Sequence, residues 1–264
     1  MESKILKSLP VLFFLYHTTT ATSASPHWDY DDPTPWWAIE DTTQPAPRSY
    51  PYAECGVGQH QSPVDLAAVQ LTSKPLNQLA ALYGADTATF FNSGHAVQVN
   101  TSIGYSGGLK VGEETIPLIQ FHFHEPSEHV INGDHFPAEL HFVHINEDGR
   151  IAVLAVAIEL GEEHPAFQTV LDNMPTQGGE SNADTGIQID PAVFLPQQQS
   201  HNNLEYFTLA GSLTTPPCSE GVQWYLLADP ITISEAQLEQ FKSFYTNNAR
   251  PAQDVNGRAI LSNK

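Results

Sequence analysis

The sequence predicts a single β-dominated α+β domain, a large sheet with a few helices at its periphery. Short runs rich in β-branched and aromatic residues alternate with turn signals: ATFFN, AVQVN, LKVG, TIPLIQFHFH, AELHFVHI, IAVLAVAIEL, LEYFTLAG and VQWYLLA. IAVLAVAIEL, residues 151–160, is apolar on both parities, as expected of a strand buried on both faces in the middle of a sheet. Helical spacing of apolar residues is clearest in only two stretches, PAFQTVLDNM and ISEAQLEQFKSFYTNN. With 264 residues, 41% of them hydrophobic, the chain can bury one sizeable core.

In chain order, residues 1–25 carry Lys4 and Lys7, an apolar run from Leu9 to Tyr16, and small residues at Ser23, Ala24 and Ser25. This is the layout of a secretory signal peptide, and the run is too short to span a bilayer; an N-terminal strand or tail is the alternative. The expected domain then runs over 26–264 and begins with an irregular arm at 26–51. That arm is rich in Pro, Asp, Thr and Trp, with Trp28, Trp36 and Trp37 as candidate anchors. No other stretch approaches a membrane span, so the exported chain is expected to be secreted or periplasmic.

Thirty acidic against ten basic residues give a net charge of −20. Such a surface repels nucleic acid and anionic lipid and keeps a protein soluble. No DxDxDG loop or long acidic run points to calcium. Cys55 and Cys218 are the only cysteines. In an exported chain two cysteines without CxxC spacing make a poor zinc site and read as a disulfide, worth up to about 5 kcal/mol by loop entropy. Asn100-Thr101-Ser102 is a glycosylation sequon, relevant in a eukaryotic source.

The chemistry is concentrated in FHFHEPSEHV, residues 121–130. Strand side chains alternate faces, so His122 and His124 share one face and Phe121 and Phe123 the other. In AELHFVHI, Leu140 and Phe142 mark the core parity, which sends Glu139, His141 and Val143 to the opposite face. AELHFVHI is joined to the next strand through an Asn-Glu-Asp-Gly hairpin turn. If the two histidine strands are neighbours, three imidazoles converge, and three histidines with an open fourth position suit catalytic zinc. Ordinary hydrogen-bonded core histidines are the alternative, and His144, on the wrong parity, is read that way. His129, past the Glu-Pro break, is expected in a polar network. Glu139 is placed to hold the second nitrogen of His141. SLTTPPCSEGVQW, residues 212–224, is a rigid loop able to present a hydroxyl and a backbone N–H to a site, or else a turn.

QFHFH, PSEH, AELHFVH, SLTTPPCSEGVQW, QSPVDL and NSGHAV together resemble, in order and spacing, the α-class carbonic anhydrases, from about His27 to Lys264. The resemblance implies a central, twisted, mostly antiparallel sheet of about ten strands with Zn2+ at the bottom of a conical cleft. It implies a zinc lyase, carbonate dehydratase, that hydrates CO2 reversibly to bicarbonate and a proton by attack of zinc-bound hydroxide. His122, His124 and His141 match the zinc ligands, and Glu139 the acceptor behind one of them. Thr214 and Glu128 match the pair that orients the nucleophile, and Thr215 the residue beside bicarbonate. Val143, Val153, Leu213 and Trp224 match the apolar wall where CO2 waits. His95 matches the proton shuttle, Gln98 and Gln120 the polar side of the cavity, and Cys55 and Cys218 the disulfide of exported members. Departures are Glu125, where many animal members carry tryptophan, and Ser93 and Gln98, which replace asparagines. Non-enzymatic relatives lack a zinc histidine; here all three stand, with Glu128 and Thr214.

Overall fold

The structure, a computed structural model, describes residues 25–263 apart from 33, 44, 72–75, 184 and 198, and of residues 68–71 the backbone alone. The leader expected at residues 1–25 lies outside the described residues except for Ser25.

Among the described residues one 13-stranded sheet dominates. Its main path runs through strands 69–71, 260–262, 206–212, 220–227, 151–160, 138–145, 114–124, 97–100, 89–92 and 181–182, with strands 231–233, 108–111 and 79–82 alongside. Most pairings are antiparallel; the pairs 69–71 with 260–262, 151–160 with 220–227, and 151–160 with 231–233 are parallel. The expected hairpin forms between Ala138–Ile145 and Ile151–Leu160. Gly149 takes a φ of 79°, a conformation that favours glycine, and its N–H donates to the carbonyl of Asn146.

The alternation read from the sequence sets the two faces of the sheet. Phe121, Phe123, Leu140, Phe142, Leu154 and Val156 enter a large core that includes Phe167 and Phe241 of the two longer helices. Fully burying each such side chain contributes about 1.5–3 kcal/mol. Val153, Ala155, Leu209, Val222 and Trp224 form a second apolar cluster, with Val143 and Leu213 packed against it. The strand 151–160 supplies both clusters, which is why its sequence is apolar on both parities.

One predicted helix needs correction. Helix Pro165–Asn173 forms as expected, with His164 as its N-cap. The second helix spans only Glu235–Lys242, because Ile231–Ile233 pairs in parallel with Ile158–Leu160 as a strand. Ser234 starts the helix through a capping box with Gln237. The ITI triplet satisfies helical spacing, but alternate burial against a strand edge outweighs it.

The arm is irregular, with one short 3-10 turn at Trp36–Ala38 and a bridge between Asp41 and Ser49. Trp28, Trp36 and Ile39 pack on Tyr52, Cys55 and Cys218, and the two cysteines form a disulfide. Trp37 is not a buried anchor: it is 51% exposed and packs close against Gly56, where a side chain would collide with it.

His144 is the hydrogen-bonded core histidine expected. Its Nδ1 donates to the Ala152 carbonyl at 3.2 Å and its Nε2 accepts from the Tyr83 hydroxyl at 2.8 Å. Burial pushes its pKa down to about 3, against the raising effect of its backbone hydrogen bonds. The unfolded imidazole binds a proton below about pH 6.5 and the folded one does not, so acidification from there toward pH 3 removes stability. Urea titrations across that window are expected to show a slope about 1.4 kcal/mol per pH unit shallower for His144→Gln than for the parent. The disulfide closes a separation of 163 residues. Replacing both cysteines by serine is expected to cost about 2–5 kcal/mol in the same assay.

Candidate metal centre and cavity

Strands 114–124 and 138–145 are direct neighbours, with His141 opposite His122 and Glu139 opposite His124. The register therefore brings His122, His124 and His141 together, with one ligand nitrogen of each within 4.8 Å of the others.

Which nitrogens face the centre follows from what holds the others. His122 Nδ1 donates to Gln120 Oε1 at 2.9 Å, and His124 Nδ1 to the Asn248 carbonyl at 2.7 Å. His141 is turned the other way, its Nε2 donating to Glu139 Oε1 at 2.8 Å. A neutral imidazole that donates through one nitrogen carries its lone pair on the other. The lone pairs thus lie on His122 Nε2, His124 Nε2 and His141 Nδ1. His124 Nε2 is buried without a hydrogen-bond partner, which a core histidine satisfied by hydrogen bonds would not leave. Burial first, then the neighbouring ligand imidazoles, pushes His122 well below the ordinary imidazole pKa. Burial likewise lowers His124 against the opposing pull of Glu128. Both rings are kept neutral, the form that binds a cation, and three imidazole nitrogens gathered at one point suit zinc.

Glu139 accepts three hydrogen bonds, from His141 Nε2, His129 Nδ1 and the His129 N–H. Burial opposes its charge, but the two imidazoles outweigh that and hold its carboxyl far below the usual range. His129 is thus the polar-network residue expected, and its ring also lies edge-on to Trp224.

Glu128 is fully buried beside the centre. Its Oε1 accepts from the Arg250 N–H at 2.9 Å, while its Oε2 has no hydrogen-bond partner and lies 3.6 Å from His124 Nε2. Thr214 is buried in the loop after strand 206–212, but the expected hydrogen bond to Glu128 is not formed. That loop is pinned at both ends. Ser62 and Ser212 exchange N–H to hydroxyl bonds of 2.9 and 3.2 Å, Gln61 Nε2 donates to the Cys218 carbonyl, and the disulfide ties Cys218 to Cys55.

Val143 stands opposite Val153, and Val153 beside Trp224, so three of the four wall residues are register neighbours. Leu213 packs on the same cluster and the Trp224 ring lies 4.9 Å from that of His141. Trp224 Nε1 donates to the Ser212 carbonyl. Thr215 is half-buried and its carbonyl accepts from Cys218 in a turn. Gln98 lies opposite His122, and its amide donates to Asn100, so the sequon asparagine stands on the same face as the histidines. His95 lies on the turn before strand 97–100, half-buried, its ring stacked on Trp28 at 3.8 Å and 11°. Burial lowers its pKa, the nearby His27 adds to that, and Asp29 opposes it.

Three contributors were not singled out in the sequence. Asn248 and Arg250 reach the centre mainly through backbone groups, which any residue type carries. The Arg250 guanidinium is buried, donates to Gln61, Ser62 and Cys55, and is pushed down to about 10 by burial, partly offset by Glu128 and Tyr30. Tyr30 presents a buried hydroxyl with no partner, raised well above its ordinary pKa by burial and then by Glu128. The one available signal was a lone arginine in NNARPAQ, within a chain that has few basic residues.

Residues 45–264 match the family model described as eukaryotic-type carbonic anhydrase. A carbonic anhydrase of Pectobacterium atrosepticum is 38% identical over 248 residues, spanning 92% of this chain and 93% of that protein. Dioscorin dioA3 of Dioscorea japonica is 33% identical over 212 residues, 78% of this chain and 76% of that one. Among solved structures, the α-carbonic anhydrase of Thermovibrio ammonificans in complex with sulfanilamide matches with a TM-score of 0.72 at 39% identity, over 81% of this chain and 91% of that chain. With its sheet, its three converging imidazoles and these relatives in agreement, the chain belongs to the eukaryotic-type, α-class carbonic anhydrase family.

Proposed function

We propose that His122, His124 and His141 hold Zn2+ and that the protein hydrates CO2 reversibly to bicarbonate and a proton. The observation that carries this is the convergence of three imidazole lone pairs, one of them buried on His124 without a hydrogen-bond partner. Zinc, when bound, is a Lewis acid that brings the ionisation of a water to near neutral pH, as is known of this family.

The chain's own groups do the rest. Gln120, the Asn248 carbonyl and Glu139 fix the three rings and their tautomers, and the charge on Glu139 makes His141 a stronger donor to the metal. Glu128 Oε2, buried and without a hydrogen-bond partner, would accept from the Thr214 hydroxyl once the metal is held, a bond that this structure does not form. A hydroxyl that donates to a carboxylate is left only with lone pairs toward the nucleophile, so it orients that group by accepting its proton's hydrogen bond. Val143, Val153, Leu213 and Trp224 give apolar, uncharged CO2 a dry wall, and Thr215 stands beside the bicarbonate formed. His95 carries the proton from the cavity to solvent. The substrates are small molecules, and the surface of net charge −20 makes nucleic acid an unsuitable partner. Residues 1–25 serve as a signal peptide, and the mature 26–264 domain is secreted or periplasmic; the disulfide supports an oxidising compartment. No helix among the described residues is long and apolar enough to cross a membrane.

Stopped-flow CO2 hydration by the protein before and after chelation is the direct test. Fast hydration, lost on zinc removal and restored by zinc, is expected; His141→Ala should abolish it, and Glu139→Gln should weaken zinc affinity about 10–100-fold. Absence of hydration by fully zinc-loaded protein would overturn the proposal. His95→Ala is expected to lower kcat about 10-fold or more in weak buffer, with kcat/KM retained and imidazole restoring the loss. Thr214→Val is expected to lower kcat/KM itself by about 100-fold, with no rescue by imidazole.

A further inference from the structure

Asn248 makes four hydrogen bonds at the junction of two functional segments. Its carbonyl accepts from His124 Nδ1, a contact that any residue at this position could make. Its side chain does something separate. Nδ2 donates to the carbonyl of His95 and to the carbonyl of Phe123, each at 3.0 Å, and Oδ1 accepts from the Glu125 N–H at 2.7 Å. The amide is 1% exposed. It brackets His124 through both flanking residues and ties that end of the strand to the peptide of His95.

We propose that the Asn248 side chain is a positioning residue that sets the distance between the proton-carrying His95 and the metal-ligating strand. The proposal rests on the reading of His95 as the proton shuttle. The turn carrying His95 is otherwise held by bonds at its own start and by the ladder that begins two residues later, at Val97 opposite Phe123. Ser93 Oγ accepts from the His95 and Ala96 N–H groups, and Asn92 Oδ1 accepts from the Gly94 N–H and from the Tyr245 hydroxyl. The His95 ring is set by stacking on Trp28 of the arm. Asn248 therefore fixes the backbone on the metal side while Trp28 fixes the ring.

Cutting the amide takes a donor from the buried Phe123 carbonyl and from the part-buried His95 carbonyl, so the His95 peptide loses its side-chain tie to the ligand strand. Transfer rates fall steeply with misplacement, by up to about 100-fold for about 1 Å. The backbone carbonyl that holds His124 survives any side-chain change, so the ligand set is not dismantled. The expected signature is a defect in proton release with the CO2 step preserved.

The test uses the full zinc-loaded enzyme with Asn248→Ala and Asn248→Asp, beside His95→Ala. The aspartate is isosteric, keeps the acceptor for Glu125 and removes both donations. In weak buffer each Asn248 variant is expected to lose about 5–10-fold in kcat with kcat/KM within about 2-fold, to retain one zinc per chain, and to recover kcat when imidazole is added. If kcat and kcat/KM fall together without rescue, if kcat is unchanged, or if both variants fail to fold, while His95→Ala is slow and rescued, the positioning role is overturned and the shuttle stands. If His95→Ala itself keeps its kcat, the shuttle reading falls and the positioning role with it.

Discussion

The site depends on one constraint: each imidazole must surrender a hydrogen to a fixed acceptor so that its other nitrogen is left as a lone pair. Two rings surrender it through Nδ1 and one through Nε2. Had His141 been oriented like the others, its free nitrogen would point elsewhere. The acceptor behind it, Glu139, lies on the same strand and face two residues earlier, so strand pleat alone places it. The acceptor behind His124 comes from a loop 124 residues away, so tertiary structure must deliver it. Local geometry and long-range packing thus share the task of bringing three lone pairs to one centre.

Around that centre the buried polar groups are arranged so that few are left over. The buried side-chain atoms without a hydrogen-bond partner among the described residues, His124 Nε2, Glu128 Oε2, His129 Nε2 and the Tyr30 hydroxyl, include two at the candidate metal centre. An unpaired buried polar atom costs about 1–3 kcal/mol, so these atoms mark where a further partner would be taken up. Charge follows the same pattern. Glu128 is buried against the backbone of Arg250, whose guanidinium is spent on Gln61, Ser62 and Cys55, fixing the segment that in turn holds the Thr214 loop.

Much of this was legible in the sequence because it depends on period two. The alternation in QFHFH and AELHFVH told which side chains share a face, and the double-sided apolar run told which strand lies at the centre. His144 could be separated from His141 by parity alone, and the structure buries it on the core side. What was not legible depends on backbone groups and on contacts between distant segments. Nothing in NNARP announces a carbonyl for His124 or an N–H for Glu128. Ile231–Ile233 was absorbed into a helix because three residues cannot distinguish helical from strand spacing when a strand edge awaits them. The arm gave up its aromatic residues but not their division of labour, in which Trp28 and Trp36 pack inward and Trp37 stays at the surface.

The segment around Asn248 and Arg250 separates having the histidines from having the site. These residues bond to partners from Cys55 to Glu128, across as many as 195 positions, and they follow all three histidines in chain order. The strands bearing the histidines lie within residues 114–145 and hold the rings of His122 and His141 themselves, yet the His124 ring and Glu128 are held from residues 248 and 250. A chain cut before Asn248 would therefore contain all three histidines and still lack the carbonyl behind His124 and the N–H behind Glu128.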